Sequence, residues 1–209
     1  MPAIICAMIP GEQTVMAYNF FAILFRQKYI ERWSLMRNVT PDTLAAHSAE
    51  VAAVTHMLAL IGNKYFGKNY DCGRAVMLAL YHDASEVYTG DMPTPVKYFN
   101  SDMREAYSEI ERNAGRVLLS KLPDEMRDEY APLIALEVTE ADAQLLPLVK
   151  AADKLCAYIK CVEEEKCGNN EFREARKALH ATLLSNPLPE LHRFLEDYLP
   201  AFELTVDEL

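Results

Sequence analysis

Three side chains able to bind a metal or carry a proton lie within five positions of this sequence. They are His82, Asp83 and Glu86, in the stretch "VMLALYHDASEVYTGDMPTPVKYFN". Histidines and carboxylates are kept out of buried helical faces unless they are paired or ligated. Spacings of three and four put these three on one face of a helix, and the apolar run before them predicts that the helix is mostly buried. Such a face needs compensating positive charge, and a divalent cation supplies it most simply. Two similar outliers occur elsewhere. His47 falls in register with the apolar stripe Leu44, Val51, Val54, Leu58 and Ile61, and Asp153 lies beside Val149, Ala152, Cys156 and Ile159. The predicted ligands are His47, His82, Asp83 and Asp153, two imidazoles and two carboxylates from three helices. Mixed nitrogen and oxygen ligation suits Mn, Fe, Co, Ni or Zn, with positions left for water and substrate. A structural zinc site would be richer in cysteine.

Each of these residues has a plainer reading when taken singly. His47 reads as a core histidine, Asp153 as a partner of Lys150 or Lys154, and Glu86 as a support for a ligand histidine. It is their joint pattern that points to chemistry. His56 serves as an internal contrast: nine residues from His47, it points about 180° away on the same helix and reads as surface. His180 and His192 have no acidic company and read as structural or exposed.

The elements that must position these residues are all helical, since no convincing period-2 strand pattern occurs. The apolar segment 15–32 is a helix candidate. A second runs from "VTPDTLAAHS", with Pro41 and Asp42 in its first turn, to a stop at Gly62. Asp71 caps a third helix over 72–87, ended by the loop Thr89-Gly90-Asp91-Met92-Pro93-Thr94-Pro95. Helices over 102–121 and 124–137 follow, then a Thr139/Asp142 pair resembling a capping box. A helix entered at Pro147 and stopped at Gly168 comes next, and helices near 171–185 and 188–199 complete the chain. The expected fold class is all-α, with a loose tail over 1–14 and a single domain over 15–209.

The bulk composition narrows the function. The chain has 209 residues and a formal net charge of −10, which argues against broad binding to a nucleic-acid polymer. A small anionic substrate is still compatible, because a bound metal reverses the local sign. The five cysteines include no CxxC pair, so a disulfide framework or zinc ribbon is not expected. Three of them share one predicted helix, where buried thiols act as small hydrophobes. The first residues lack the basic region and cleavage site of a signal peptide, and no run approaches the roughly 18 apolar residues of a membrane helix. The expectation is a cytoplasmic protein with no membrane partner.

The order His, His-Asp, Asp on a helical bundle is similar to that of the HD-domain metal-dependent phosphohydrolases. The stretches "RWSLMRNV", "AHSAEVA", "YHDASEVYTGDMPTPVKYFN" and "KAADKLCAYIKCVEE" further resemble the bacterial 5′-deoxynucleotidase branch of that superfamily, the YfbR-like proteins. The likeness runs from about residue 17 to the C-terminus. Members commonly have Glu before the first metal histidine, where this chain has Ala46, a position that is not a ligand. The resemblance implies an HD-domain helical bundle that hydrolyses deoxyribonucleoside 5′-monophosphates. It also implies a homodimer and one divalent transition metal per subunit, such as Co2+ or Mn2+. Carried over by position, Arg32 holds phosphate, Trp33 packs on the sugar, and Asp91, Met92, Pro93 and Thr94 form the nucleotide loop. Asp83 and Asp153 face both metal and substrate, and Glu86 orients water and accepts its proton. Arg37 and Lys97 are further candidate phosphate cations. An HD hydrolase of triphosphates or cyclic nucleotides, or a non-catalytic nucleotide-binding module, are the competing readings.

Overall fold

The computed structural model describes residues 18–97, 99–134 and 138–209. Every regular element among them is helical, and the one β-contact is an isolated bridge between Glu31 and Thr43. The tail expected over 1–14 lies outside the described residues. The helices are α1 (Phe20–Leu24), α2 (Leu44–Tyr65), α3 (Cys72–Tyr81), α4 (Glu86–Thr89), α5 (Thr94–Lys97), α6 (Ser101–Leu119), α7 (Asp124–Tyr130), α8 (Glu140–Ala143), α9 (Leu146–Lys166), α10 (Arg173–Leu184) and α11 (Pro189–Asp197).

The heart of the fold is α2 packed against both α3 and α9. These are the three helices that carry the predicted ligands. Their contact buries Val51, Leu58, Leu148 and Leu155 completely. Each such side chain contributes roughly 1.5–3 kcal/mol relative to exposure, so the helices are held by packing and not by propensity alone. By length and composition α2 would also suit a membrane, but half of its apolar window is buried inside the protein.

Local chemistry explains most of the helix boundaries. The Thr43 hydroxyl accepts from the Ala46 N–H at 3.3 Å and caps α2. Asp71 caps α3 by accepting from the Arg74 N–H at 2.9 Å. Pro147 sits in the first turn of α9, and Gly168, at φ +83°, follows its end, as the sequence predicts. Gly62 does not stop α2, which continues to Tyr65. Its missing side chain admits Tyr70, since a Cβ there would lie 2.5 Å from the Tyr70 ring. The predicted helix over 15–32 is short: α1 gives way to a 3₁₀ turn at Phe25–Tyr29. Thr139 does accept from the Asp142 N–H at 3.0 Å, but the Asp142 carboxylate pairs with Arg74 at 2.7 Å and does not complete a capping box. Of the α9 cysteines, Cys156 and Cys161 are buried, whereas Cys167 is exposed at the helix end.

One departure matters for the site. The expected helix over 72–87 breaks after Tyr81. Across His82–Ser85 the backbone bonds run three residues back: Ala84 N–H to Tyr81 O at 2.9 Å and Glu86 N–H to Asp83 O at 3.0 Å. This is 3₁₀ geometry, in which residues three apart eclipse one another. Asp83 and Glu86 therefore stack on one side of the tightened turn, and α4 restarts at Glu86.

Candidate active site

His47 comes from the first turns of α2, His82 from the end of α3, Asp83 from the tightened turn and Asp153 from α9. The structure brings His47, His82 and Asp153 to one point and sets Asp83 beside them, outside the tightest group. One ligand atom each from His47, His82 and Asp153 lies within 4.8 Å of the others. His47 Nε2 is 3.1 Å from Asp153 Oδ1 and 3.9 Å from Asp83 Oδ2. His82 Nε2 is 3.0 Å from Asp83 Oδ2.

The hydrogen bonds reveal what this cluster lacks. His82 Nδ1–H donates to the Ala79 carbonyl at 2.7 Å, which turns Nε2 toward the Asp83 carboxylate 3.0 Å away. Nε2 has no aligned hydrogen-bond partner there, so the pair calls for positive charge between its atoms, from a proton or a cation. The same demand shows in the titration behaviour. Burial lowers the His82 pKa, but Asp83 and Asp153 outweigh burial and raise it. For Asp153, burial opposes ionisation, yet the His47 hydrogen bond and Lys154 hold it well below the usual carboxylate range. His47 is 1% exposed, and burial lowers its pKa. Two imidazole nitrogens and ionised carboxylates around a charge-deficient centre suit a divalent metal.

Glu86 is only 6% exposed and has one unpartnered carboxylate oxygen. Burial first, then Asp83 and Asp91, push its pKa up to about 9. A cation beside Asp83 works in the opposite direction and returns it toward the range of a base.

A cavity of about 180 Å³ opens beside the cluster, lined by Arg32, Trp33, Asp91, Met92, Pro93 and Asp153 among others. All six are residues that the sequence nominates. A second, more apolar cavity of about 320 Å³ reaches His82 and Asp153 from the other side, past Leu78 and Val149. Arg32 is buried and gives Nη1 to Asp42 at 2.8 Å, while its Nε–H has no partner among the described residues. An unpaired buried guanidinium edge in a cavity wall is an anion donor in waiting. Asp42, expected only as a first-turn residue, is what fixes that edge.

Trp33 adopts φ +60°, the only non-glycine residue with positive φ among those described. For a bulky side chain this conformation costs on the order of 1–3 kcal/mol and marks a constrained position. Its N–H donates to Asp91 Oδ2 at 3.2 Å, so Asp91 ties the nucleotide-loop candidate to the Arg32-Trp33 pair. The side chain of Thr94 lies outside the described ones. Arg37 and Lys97 do not line the cavity. Lys97 pairs with Glu111 at 2.7 Å, and Arg37 is exposed beside Asn169–Glu171. The contrast residues fall as expected, with His56 and His180 exposed and His192 bonded to the Asn186 carbonyl at 2.7 Å.

The family model described as 5′-deoxynucleotidase YfbR-like matches residues 19–202. The chain is 50% identical to the 5′-deoxynucleotidase YfbR of Escherichia coli over 191 residues, covering 91% of this chain and 95% of that one. It is 48% identical to a 5′-deoxynucleotidase of Vibrio parahaemolyticus over 192 residues, covering 91% and 97%. An HD-domain phosphohydrolase from Listeria innocua shares the fold with a TM-score of 0.75 at 24% identity, over 88% of each chain. A cyanophage S-2L HD phosphohydrolase, solved bound to dA and one catalytic Zn2+ ion, superimposes with a TM-score of 0.56 at 20% identity, covering 90% and 96%.

Proposed function

The chain belongs to the YfbR-like 5′-deoxynucleotidase family, and from that premise we propose that His47, His82, Asp83 and Asp153 form the metal centre at which it hydrolyses deoxyribonucleoside 5′-monophosphates to deoxynucleosides and phosphate. The observation that carries this reading is the cluster itself: His47, His82 and Asp153 present ligand atoms within 4.8 Å of one another, Asp83 adjoins His82 at 3.0 Å, and the Arg32 cavity opens beside them. Bound there, a divalent ion offsets the charge of the phosphate dianion and lowers the pKa of water.

The chain's own residues do the rest. Arg32, fixed by Asp42, presents its free edge to the phosphate oxygens. Trp33 packs on the sugar, and Asp91 holds the Trp33 backbone in place. Met92, Pro93 and Thr94 continue the loop around the nucleotide. Water oxygen attacks phosphorus as the bond to O5′ breaks. Glu86 accepts the water proton and is the nearest candidate to return one to the departing O5′. The cations at the cavity do not favour a triphosphate, since Lys97 is paired with Glu111 and Arg37 is exposed outside the lining.

We extend the proposal to cobalt or manganese as the metal, and to a homodimer working in the cytoplasm. The mixed nitrogen–oxygen ligands support the first. Exposed Phe21, Phe25 and Tyr29, and Met103, Ile110 and Val117 spaced along α6, supply apolar surface of the kind a partner copy covers. The free thiols suit a reducing compartment. The test is phosphate release from dAMP, dATP and a cyclic nucleotide, using chelated protein with single metals added back. Metal-restored activity on dAMP alone is expected. An Asp153→Ala variant should lose both metal and turnover, and full metal occupancy in it would remove Asp153 from the ligand set.

A further inference from the structure

Phe172 stands 139 positions from Trp33 in the chain, yet its ring centroid lies 5.3 Å from the Trp33 ring, tilted by 60°. Phe172 is fully buried, in the short 3₁₀ turn between α9 and α10. The Lys160 ammonium covers its ring at 5.6 Å. The same stretch grips the backbone that leads away from Trp33. Glu164 accepts from the Val39 N–H at 2.9 Å and the Thr40 N–H at 3.1 Å, and Lys160 donates to the Thr40 carbonyl at 2.6 Å. Asn169 donates to the Arg37 carbonyl at 2.6 Å, and Glu171 accepts from the Arg37 N–H at 2.6 Å.

Trp33 thus has two restraints. Asp91 holds its backbone N–H from the cavity side, and the Lys160–Phe172 segment holds the following loop and the indole from the other. A side chain in a left-handed backbone conformation keeps one pose only when its surroundings over-determine it. We propose that the Lys160–Phe172 segment, acting through the Phe172 ring, fixes the pose of Trp33 and so sets how strictly the enzyme rejects a 2′-hydroxyl. Phe172 is a positioning residue and touches no substrate. The inference rests on the reading of Trp33 as the sugar contact. A 2′-hydroxyl meeting the apolar indole face is buried without a partner, and the penalty grows as the ring is held more rigidly.

Trp33 is the single tryptophan of the chain, so its fluorescence reports on this pose independently of catalysis. The experiment measures kcat/KM for dAMP and AMP, emission maximum and acrylamide quenching in wild type, Trp33→Ala, Phe172→Leu and Glu171→Ala. Glu171 is exposed, so its replacement leaves the core intact if Phe172→Leu folds poorly. Phe172→Leu is expected to red-shift the emission, increase quenching and compress the dAMP/AMP ratio by roughly threefold to tenfold, a part of the penalty for burying a hydroxyl. Glu171→Ala should move all three readouts the same way by less. An unchanged ratio in both variants, or equal losses on the two nucleotides with unchanged emission, overturns the proposal. A wild type that does not prefer dAMP, or a Trp33→Ala variant that keeps the full preference, removes the reading beneath it as well.

Discussion

At the scale of single residues, the chemistry depends on groups whose ordinary properties are displaced by their neighbours. Glu86 shows this most directly, because burial and the Asp83 and Asp91 carboxylates push it up to about 9. A carboxyl in that position is able to exchange a proton near neutral pH once positive charge stands beside Asp83. Glu86→Gln keeps the size and hydrogen bonding but removes the base. Its kcat should fall by about 10²–10⁴-fold, the usual contribution of an acid–base group, with metal content unchanged by elemental analysis. A near-normal kcat would demote Glu86 to a support for the ligands. The identities of His47, His82, Asp83, Glu86 and Asp153 are legible in the sequence because charged types stand out in apolar helices. The partner of Arg32 is not legible. Asp42 sits ten positions away behind an isolated β-bridge, and helix-start rules give it a different role. Likewise nothing in the spacing says that Asp91 accepts from the Trp33 N–H, a contact between positions 58 residues apart.

Among the elements, the segment before α2 has little regular structure of its own and is held by a buried carboxylate on α9. Burial opposes the charge of Glu164, but Lys160 and the Val39, Asn169 and Thr40 donors outweigh it and lower its pKa from 4.5 to about 2. A pKa lower in the folded than in the unfolded state adds stability that is complete above about 4.5. That stability is lost as pH falls through 4.5 toward 2, because the unfolded chain takes up the proton first. The full contribution is on the order of 3–4 kcal/mol, from about 1.4 kcal/mol for each unit of pKa difference. Glu164→Gln should therefore be less stable than wild type in urea at pH 7, and the gap should narrow steadily between pH 5 and pH 3. A constant gap across that range would mean that Glu164 contributes by packing alone. Lys160 and Glu164 are four apart on a helix, a spacing that usually marks an exposed pair. This is why the sequence gives no hint that the pair is buried and bonded to a loop 120 to 125 positions away. The break after Tyr81 is hidden for a related reason. "YHDASEV" has no proline or glycine to interrupt a helix, and only the packing around the site shows that the turn tightens to stack Asp83 with Glu86.

Across the whole molecule, the all-α architecture is legible because apolar stripes of helical period recur along the chain, and the central helices α2, α3 and α9 are more apolar overall than α6, α10 and α11. What the stripes cannot give is which three helices meet, yet the proposed ligand set does give it: a shared cation would need His47, His82, Asp83 and Asp153 at one point. That argument has a consequence for stability. The proposed ligands join the three helices that form the centre of the bundle, and they bring imidazoles and carboxylates face to face. A metal that binds the folded chain and not the unfolded one stabilises it by about 2.7 kcal/mol at a hundredfold excess over Kd. For a protein of this length each kcal/mol raises Tm by about 2–4 °C, so saturating metal should raise Tm by roughly 5–10 °C over chelated protein. The measurement is a thermal scan of chelated protein with increasing Co2+ or Mn2+. The same scan on Asp153→Ala should show little shift, because the remaining ligands no longer close a site between α9 and the other two helices. An equal shift in that variant would place the metal away from α9. No shift in wild type would mean that the three helices are already held as firmly without the ion as with it.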